Sequence, residues 1–164
     1  MGVSVAILEL WRYPVKSLQG ERVGSAAVSE LGLAGDRRWA LVDVSTGKTV
    51  TDADVLTGRR APELLFGSAR YLAETDEVVV ILPDGTETTD DAVLSGWLGR
   101  QVRLTKAEPA LRGTYEIALD FEAEDSAEWV SWQGPGGSFH DSTKTQVSVL
   151  STGSMAGWPT RRFR

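Results

Sequence analysis

Residues 77–89 read EVVVILPDGTETT, and this stretch decides the fold class. Four β-branched residues in succession, Val78 to Ile81, favour a strand. Pro83-Asp84-Gly85 then breaks it. Proline presets φ, aspartate bonds back to its own backbone, and glycine accepts the positive φ of a tight turn. A strand closed by a turn of this kind predicts a hairpin. Next comes TDDAVLSGWLG, residues 89–99, with acids at its start, apolar Val93, Leu94, Trp97 and Leu98 at helical spacing, and Gly99 as a stop. QVRLTKA, residues 101–107, alternates apolar and polar residues as a half-buried strand does.

The same reading extends outward. VAILELWRYPV, residues 5–15, opens with strand formers and is stopped by Pro14. GSAAVSELGL, residues 24–33, suggests a strand ending in a glycine turn. DRRWALVDVSTGKTV, residues 36–50, suggests two strands joined at STGK, the second reaching Thr49–Thr51. TQVSVLS, residues 145–151, alternates again, and STGSMAGW, residues 151–158, offers a second helix capped by Ser151 or Thr152 and broken by Pro159. Many short strands with one or two short helices predict a mainly β, barrel-like fold.

A composition break separates residues 1–108 from the remainder of the chain. Glu116 to Glu128 holds six acids and no base, and QGPGG occupies 133–137. Residues 109–137 therefore read as a long mobile connection or a domain boundary. Residues 138–164 supply one strand and a helical turn, too little to bury their own faces. Either they pack on the first unit or the chain is part of a longer protein. In the second case the apolar side chains of Val147, Val149 and Leu150 are left without sheet partners.

The 164 residues are 41% hydrophobic and 24% charged, with net charge −6. That composition fits a soluble globular chain and argues against general nucleic-acid binding, which needs a basic face. No apolar run reaches the roughly 20 residues of a membrane helix, and the start lacks the pattern of a signal peptide. A cytoplasmic setting is the expectation. There is no cysteine and one histidine, His140, so the chain offers neither a thiolate nor a histidine-rich metal site. His140 beside Ser138, Phe139 and Asp141 reads as a hydrogen-bonded structural residue rather than a general acid. The cations gather at Arg37/Arg38, Arg59/Arg60 and Arg161/Arg162/Arg164. Lys16-Ser17 interrupts YPVKSLQGERV, residues 13–23, as either a solvated turn or an anion-binding corner.

Six motifs in order, YPVKSLQG (13–20), LAGDRRWALVD (33–43), TGRRAPELL (57–65), SGWLGR (95–100), SFHDSTKTQVSVLSTGSM (138–155) and RRFR (161–164), make the chain similar to the molybdenum-cofactor sulfurase C-terminal (MOSC) superfamily. It resembles members in which an N-terminal β-barrel domain, here 1–108, precedes the MOSC domain, here begun at 138–164. The resemblance implies a molybdenum cofactor, molybdopterin, in a family of oxidoreductases and sulfur carriers. It implies cofactor contacts from Lys16, Ser17, Arg37, Thr57, Arg59, Asp141, Ser142 and Arg164. It leaves binding of pyridoxal phosphate open. A lysine, a hydroxyl and arginines suit a phosphate monoester on chemical grounds as well.

The family's cysteine has no counterpart in this chain, so the expectation is a cofactor-binding protein that is inactive alone and retains the cofactor weakly. No catalytic residue and no metal ligand is assigned. The alternatives are a non-catalytic phosphate- or pterin-binding module, and a protein-interaction barrel whose arginines only form ion pairs. Trp129 and Trp132 bear on the last, as a docking surface or as a cover for the open end of the barrel. A homo-oligomer or a redox partner protein completes the expected partners, with no nucleic acid and no membrane.

Overall fold

A computed structural model describes residues 6–44, 52, 53, 55–110, 112–120, 126–144 and 146–156. The chain is mainly β. Strands β1 (Leu10–Arg12) and β2 (Glu21–Val23) pair antiparallel, as do β3 (Val28–Ser29) and β4 (Gly32–Leu33). Strand β5 (Trp39–Asp43) pairs with β10 (Val102–Lys106). Strands β7 (Ser68–Leu72), β8 (Glu77–Ile81) and β9 (Glu87–Thr88) form a meander. Strand β11 (Arg112–Ala118) lies between β12 (Trp129–Gln133), antiparallel, and β6 (Asp52–Ala53), parallel. Among the described residues these small sheets do not close into a barrel.

Local chemistry explains the best-formed elements. Val78 and Val80 of β8 are buried while Val79 and Ile81 are half-buried. Helix α1 (Asp91–Leu98) starts where the Asp90 carboxylate accepts the N–H groups of Ala92 at 2.7 Å and Val93 at 3.2 Å. It stops at Gly99, whose φ of 63° is the left-handed cap glycine tolerates best. Leu94 and Leu98 face the core, whereas Val93 is exposed. Helix and β10 are tied together: Leu104 N–H donates to Asp91 at 2.9 Å, and Val102 N–H to Ser95 Oγ at 3.0 Å.

β5 separates two packed clusters. Alternate residues of a strand face opposite sides. Trp39 and Leu41 join a large cluster with Val15, Leu18, Leu64, Val80 and Leu94. Ala40 and Val42 turn the other way, toward Val55, Ala107, Tyr115 and Phe139. The segment before Ser17 follows the same rule. Val15 bridges to Trp39 and enters the first cluster, while Lys16 faces Tyr115 of the second.

Several expectations are corrected. The connection expected over 109–137 contains β11 and β12, paired from Thr114↔Gln133 to Ala118↔Trp129. The strand expected over 145–151 does not form: residues 146–150 pair with no strand among those described, and Val149 is 91% exposed. An alternating sequence forms a strand only when its backbone pairs with another strand, and among the described residues 146–150 make no such pairing. Residues 138–140 do pack on the first unit, with Phe139 fully buried and its N–H donating to the Arg37 carbonyl at 2.6 Å. Residues 24–33 give two short strands rather than one. Helix α2 (Thr152–Ala156) forms, with Ser154 N–H donating to Ser151 Oγ at 3.0 Å. The STGK turn, the strand at Thr49–Thr51 and Pro159 lie outside the described residues.

Candidate functional site

Lys16 is positioned by backbone. Its N–H donates to the Trp39 carbonyl at 2.9 Å, and Trp39 N–H donates to Pro14 at 3.1 Å. Ser17 then takes φ 67°, and Leu18 N–H closes the turn on Val15 at 3.3 Å. The lysine side chain is driven inward. Its Nζ lies 4.7 Å from the centre of the Tyr115 ring and 3.3 Å from Asp141 Oδ2. Burial lowers the lysine pKa; Asp141 opposes this and the Arg37 charge adds to it.

Arg37 reaches the same place from the turn before β5. Its φ is 46°, its N–H donates to Tyr13 at 2.7 Å, and its carbonyl receives Phe139. Only three described residues other than glycine have positive φ, Ser17, Arg37 and Asp76, so two of them carry the lysine turn and the arginine. Such strained positions concentrate at functional sites. The guanidinium lies 3.0 Å from Asp36 Oδ2 and 5.6 Å from the Tyr13 ring centre. Buried Asp36 organises the corner: Oδ1 accepts Tyr13 N–H at 2.6 Å, and Oδ2 lies 3.5 Å from His140 Nε2.

His140 and Asp141 come from the chain beyond β12. His140 is 2% exposed, and burial, with Arg37 and Lys16, holds its pKa below the ordinary value against the pull of Asp36 and Asp141. Its Nε2 makes no hydrogen bond, the 3.5 Å approach to Asp36 notwithstanding. Tyr115 Oη and Ser138 Oγ are also buried without partners among the described residues. Buried polar atoms of this kind are uncommon in a packed core. Burial pulls the Asp141 carboxyl up, but Lys16, its own backbone N–H and Arg37 outweigh it and hold it below the usual range. The Asp141 carbonyl accepts Trp132 Nε1–H at 2.5 Å, which fixes its backbone to β12.

The remaining candidates lie differently. Thr57 is half-buried, and its carbonyl accepts the N–H groups of Arg60 at 3.0 Å and Ala61 at 2.9 Å. Arg59 faces Trp129, 5.9 Å from the ring centre, and Arg60 pairs with Glu116 of β11. Ser142 Oγ accepts Lys144 N–H at 3.1 Å. Arg164 lies outside the described residues. The structure thus brings together Lys16, Arg37 and Asp141, with Ser17 and Ser142 adjacent in sequence, and sets Arg59 against the β11–β12 hairpin.

Residues 4–131 match the family model of the MOSC N-terminal beta barrel domain. The chain belongs to this family. Over 81 residues it is 33% identical to mitochondrial amidoxime reducing component 2 of Bos taurus. That match covers 47% of this chain and 21% of the bovine protein, so the chain spans only a small part of its relative's length. No solved structure matches. Family membership makes this a MOSC-type protein related to the molybdenum cofactor. The MOSC N-terminal match takes in Lys16, Asp36, Arg37 and Tyr115 and ends before His140 and Asp141.

Sequence reading missed Asp36 and Tyr115. Asp36 had a signal, an acid beside Arg37 in GDRRW, but its burial depends on Tyr13 and His140, which are distant in sequence. Tyr115 sits in the short alternation TYEIA, masked by the acidic stretch after it. The sequence reading expects a hydrogen-bonded structural His140; the side chain is buried, and its Nε2 has no hydrogen-bond partner among the described residues.

Proposed function

We propose that this MOSC N-terminal domain binds a phosphate-bearing cofactor, the phosphate end of a molybdopterin-type group, at the corner formed by Lys16, Ser17 and Arg37. The observation that carries the reading is Lys16: a lysine side chain only 8% exposed, with Arg37 close enough to depress its pKa. Like charges are brought together at a cost, which a dianion offsets. Asp141 and Ser142 border the same corner. Thr57 and Arg59, on the turn against Trp129, complete the proposed contacts, and Arg164 belongs to the proposal from sequence alone.

The donor set fits one end of such a cofactor and not the other. Lysine, hydroxyl and guanidinium suit phosphate. A soft metal takes a thiolate, and the chain has no cysteine. In this reading the 164 residues hold the anion, orient it and shield Lys16 from water with the Tyr115 ring, and the oxidoreductase or sulfur-carrier chemistry of the superfamily needs a thiolate from elsewhere. The family match reaches residue 131, within β12, and residues 138–164 open the next domain in this reading. Among the described residues no helix is long and apolar enough to cross a membrane. A cytoplasmic setting remains part of the proposal, beside a relative whose printed name is mitochondrial.

The test is titration of the protein with pyrophosphate and with molybdopterin at low salt. Wild type binds, Lys16→Ala and Arg37→Ala bind at least tenfold more weakly, and added salt weakens all three. Equal affinities for wild type and both variants contradict the reading. A second reading, a protein-docking module, draws on the exposed Val147, Val149, Leu150 and Met155. It expects self-association or a redox partner on that face, independent of Lys16.

A further inference from the structure

We propose that Asp141 is a built-in counter-anion of Lys16, which an incoming ligand must displace, and that the Lys16–Arg37 pair so uncovered favours dianionic phosphate groups over monoanions. The inference rests on the anion-site reading above.

The pair is asymmetric. The Lys16 side chain is 8% exposed and that of Asp141 61%. Lys16 is pinned through its backbone to Trp39 and walled by the Tyr115 ring 4.7 Å away. Asp141 stands on the outside, so an anion arriving from solvent meets the carboxylate before the ammonium. The Asp141 backbone is held through its carbonyl by Trp132, and the carboxylate itself is tied, among the described residues, only to Lys16 and to its own backbone N–H. The carboxylate can therefore leave by side-chain rotation while the chain stays in place.

Charge decides what replaces it. Lys16 and Arg37 carry two positive charges, and Asp36 and Asp141 two negative. Asp36 is committed: one oxygen takes Tyr13 N–H at 2.6 Å, and the other lies 3.0 Å from Arg37 and 3.5 Å from His140. Asp141 is the more exposed of the two acids and the one that faces solvent. A monoanion that replaces it restores the same charge, but it competes with a tethered group already at high effective concentration. It also loses translational freedom on binding. A phosphate dianion brings a second charge, and oxygens enough to meet Arg37 as well as Lys16. Arg37 is open to it, with a third of its side chain exposed.

The experiment measures binding of inorganic phosphate, mainly dianionic at about pH 7.5, and of acetate by calorimetry. The proteins are wild type, Asp141→Asn, Lys16→Ala and the double variant, each checked for folding by thermal melting. Asp141→Asn removes the competing charge without changing shape. It is expected to tighten phosphate roughly three- to tenfold and acetate by no larger a factor. Lys16→Ala abolishes the gain in either background. Phosphate binding unchanged or weakened in Asp141→Asn overturns the counter-anion proposal, and leaves the anion site standing if Lys16→Ala still loses phosphate. If Lys16→Ala binds phosphate as wild type does, or no variant binds it, the anion-site reading falls and the proposal with it.

Discussion

The two clusters on either side of β5 bury different things. The larger, around Val15, Leu41, Leu64, Val80 and Leu94, gathers apolar side chains, with buried Arg12 at its edge over the Tyr71 ring. The smaller, around Ala40, Val55, Tyr115 and Phe139, adjoins a buried lysine; Tyr115 and the two residues flanking Phe139, Ser138 and His140, carry three of the four buried polar atoms that lack a partner among the described residues. One strand supplies both walls, and neighbouring residues divide between them. The difference separates two tasks. Apolar burial stabilises the domain. Buried charge and unmatched polar atoms cost stability and are retained where a ligand can match them.

The comparison breaks first at Leu94, which is fully buried in the apolar cluster. Leu94→Ala is expected to destabilise by about 2–5 kcal/mol in urea unfolding, through lost burial and the cavity left behind. A loss under about 1 kcal/mol would mean this cluster is not the stabilising one.

The polar cluster should respond with the opposite sign. Lys16→Met keeps the stem against Tyr115 and removes a charge whose pKa burial depresses. It is expected to raise stability by about 0.5–2 kcal/mol while phosphate binding is lost. A fall in stability would make Lys16 a structural ion pair.

His140 sharpens the contrast through pH. Its folded pKa lies below the unfolded value of 6.5. As pH falls below that value the unfolded chain takes up a proton the folded chain resists, so stability falls. Between about pH 7.5 and about pH 5.5 wild type should lose more stability than His140→Gln, by paired chemical unfolding curves. Parallel losses would show that His140 is not held neutral by its surroundings.

The smallest effect belongs to the exposed tail. Val149→Ser is expected to change stability by less than about 0.5 kcal/mol. A larger loss would mean that this face is covered in solution, which sedimentation at several concentrations would show as an oligomer.

Fold features set by neighbours in sequence are legible in the sequence itself. Asp90 and Gly99 bound α1, and Pro83-Asp84-Gly85 turns β8 into β9, because cap and turn chemistry act within a few residues. Pairing is not. The β11–β12 hairpin is hidden because the acids from Glu116 to Glu128 dominate the composition while its strands are short. The alternation over 145–151 is real, yet residues 146–150 pair with no described strand. In the site, Lys16, Arg37 and Asp141 stand out from their motifs. Their convergence depends on Arg37 bonding to both Tyr13 and Phe139. The Tyr115 ring under Lys16 depends on a strand register no local pattern specifies.

The central claim, that the polar cluster is an anion site, is tested most directly by a crystal structure of the protein with pyrophosphate. The account predicts the anion within hydrogen-bond distance of Lys16 Nζ and the Arg37 guanidinium, with the Asp141 carboxylate turned away. Pyrophosphate bound only elsewhere, with Lys16 still paired to Asp141, would contradict it.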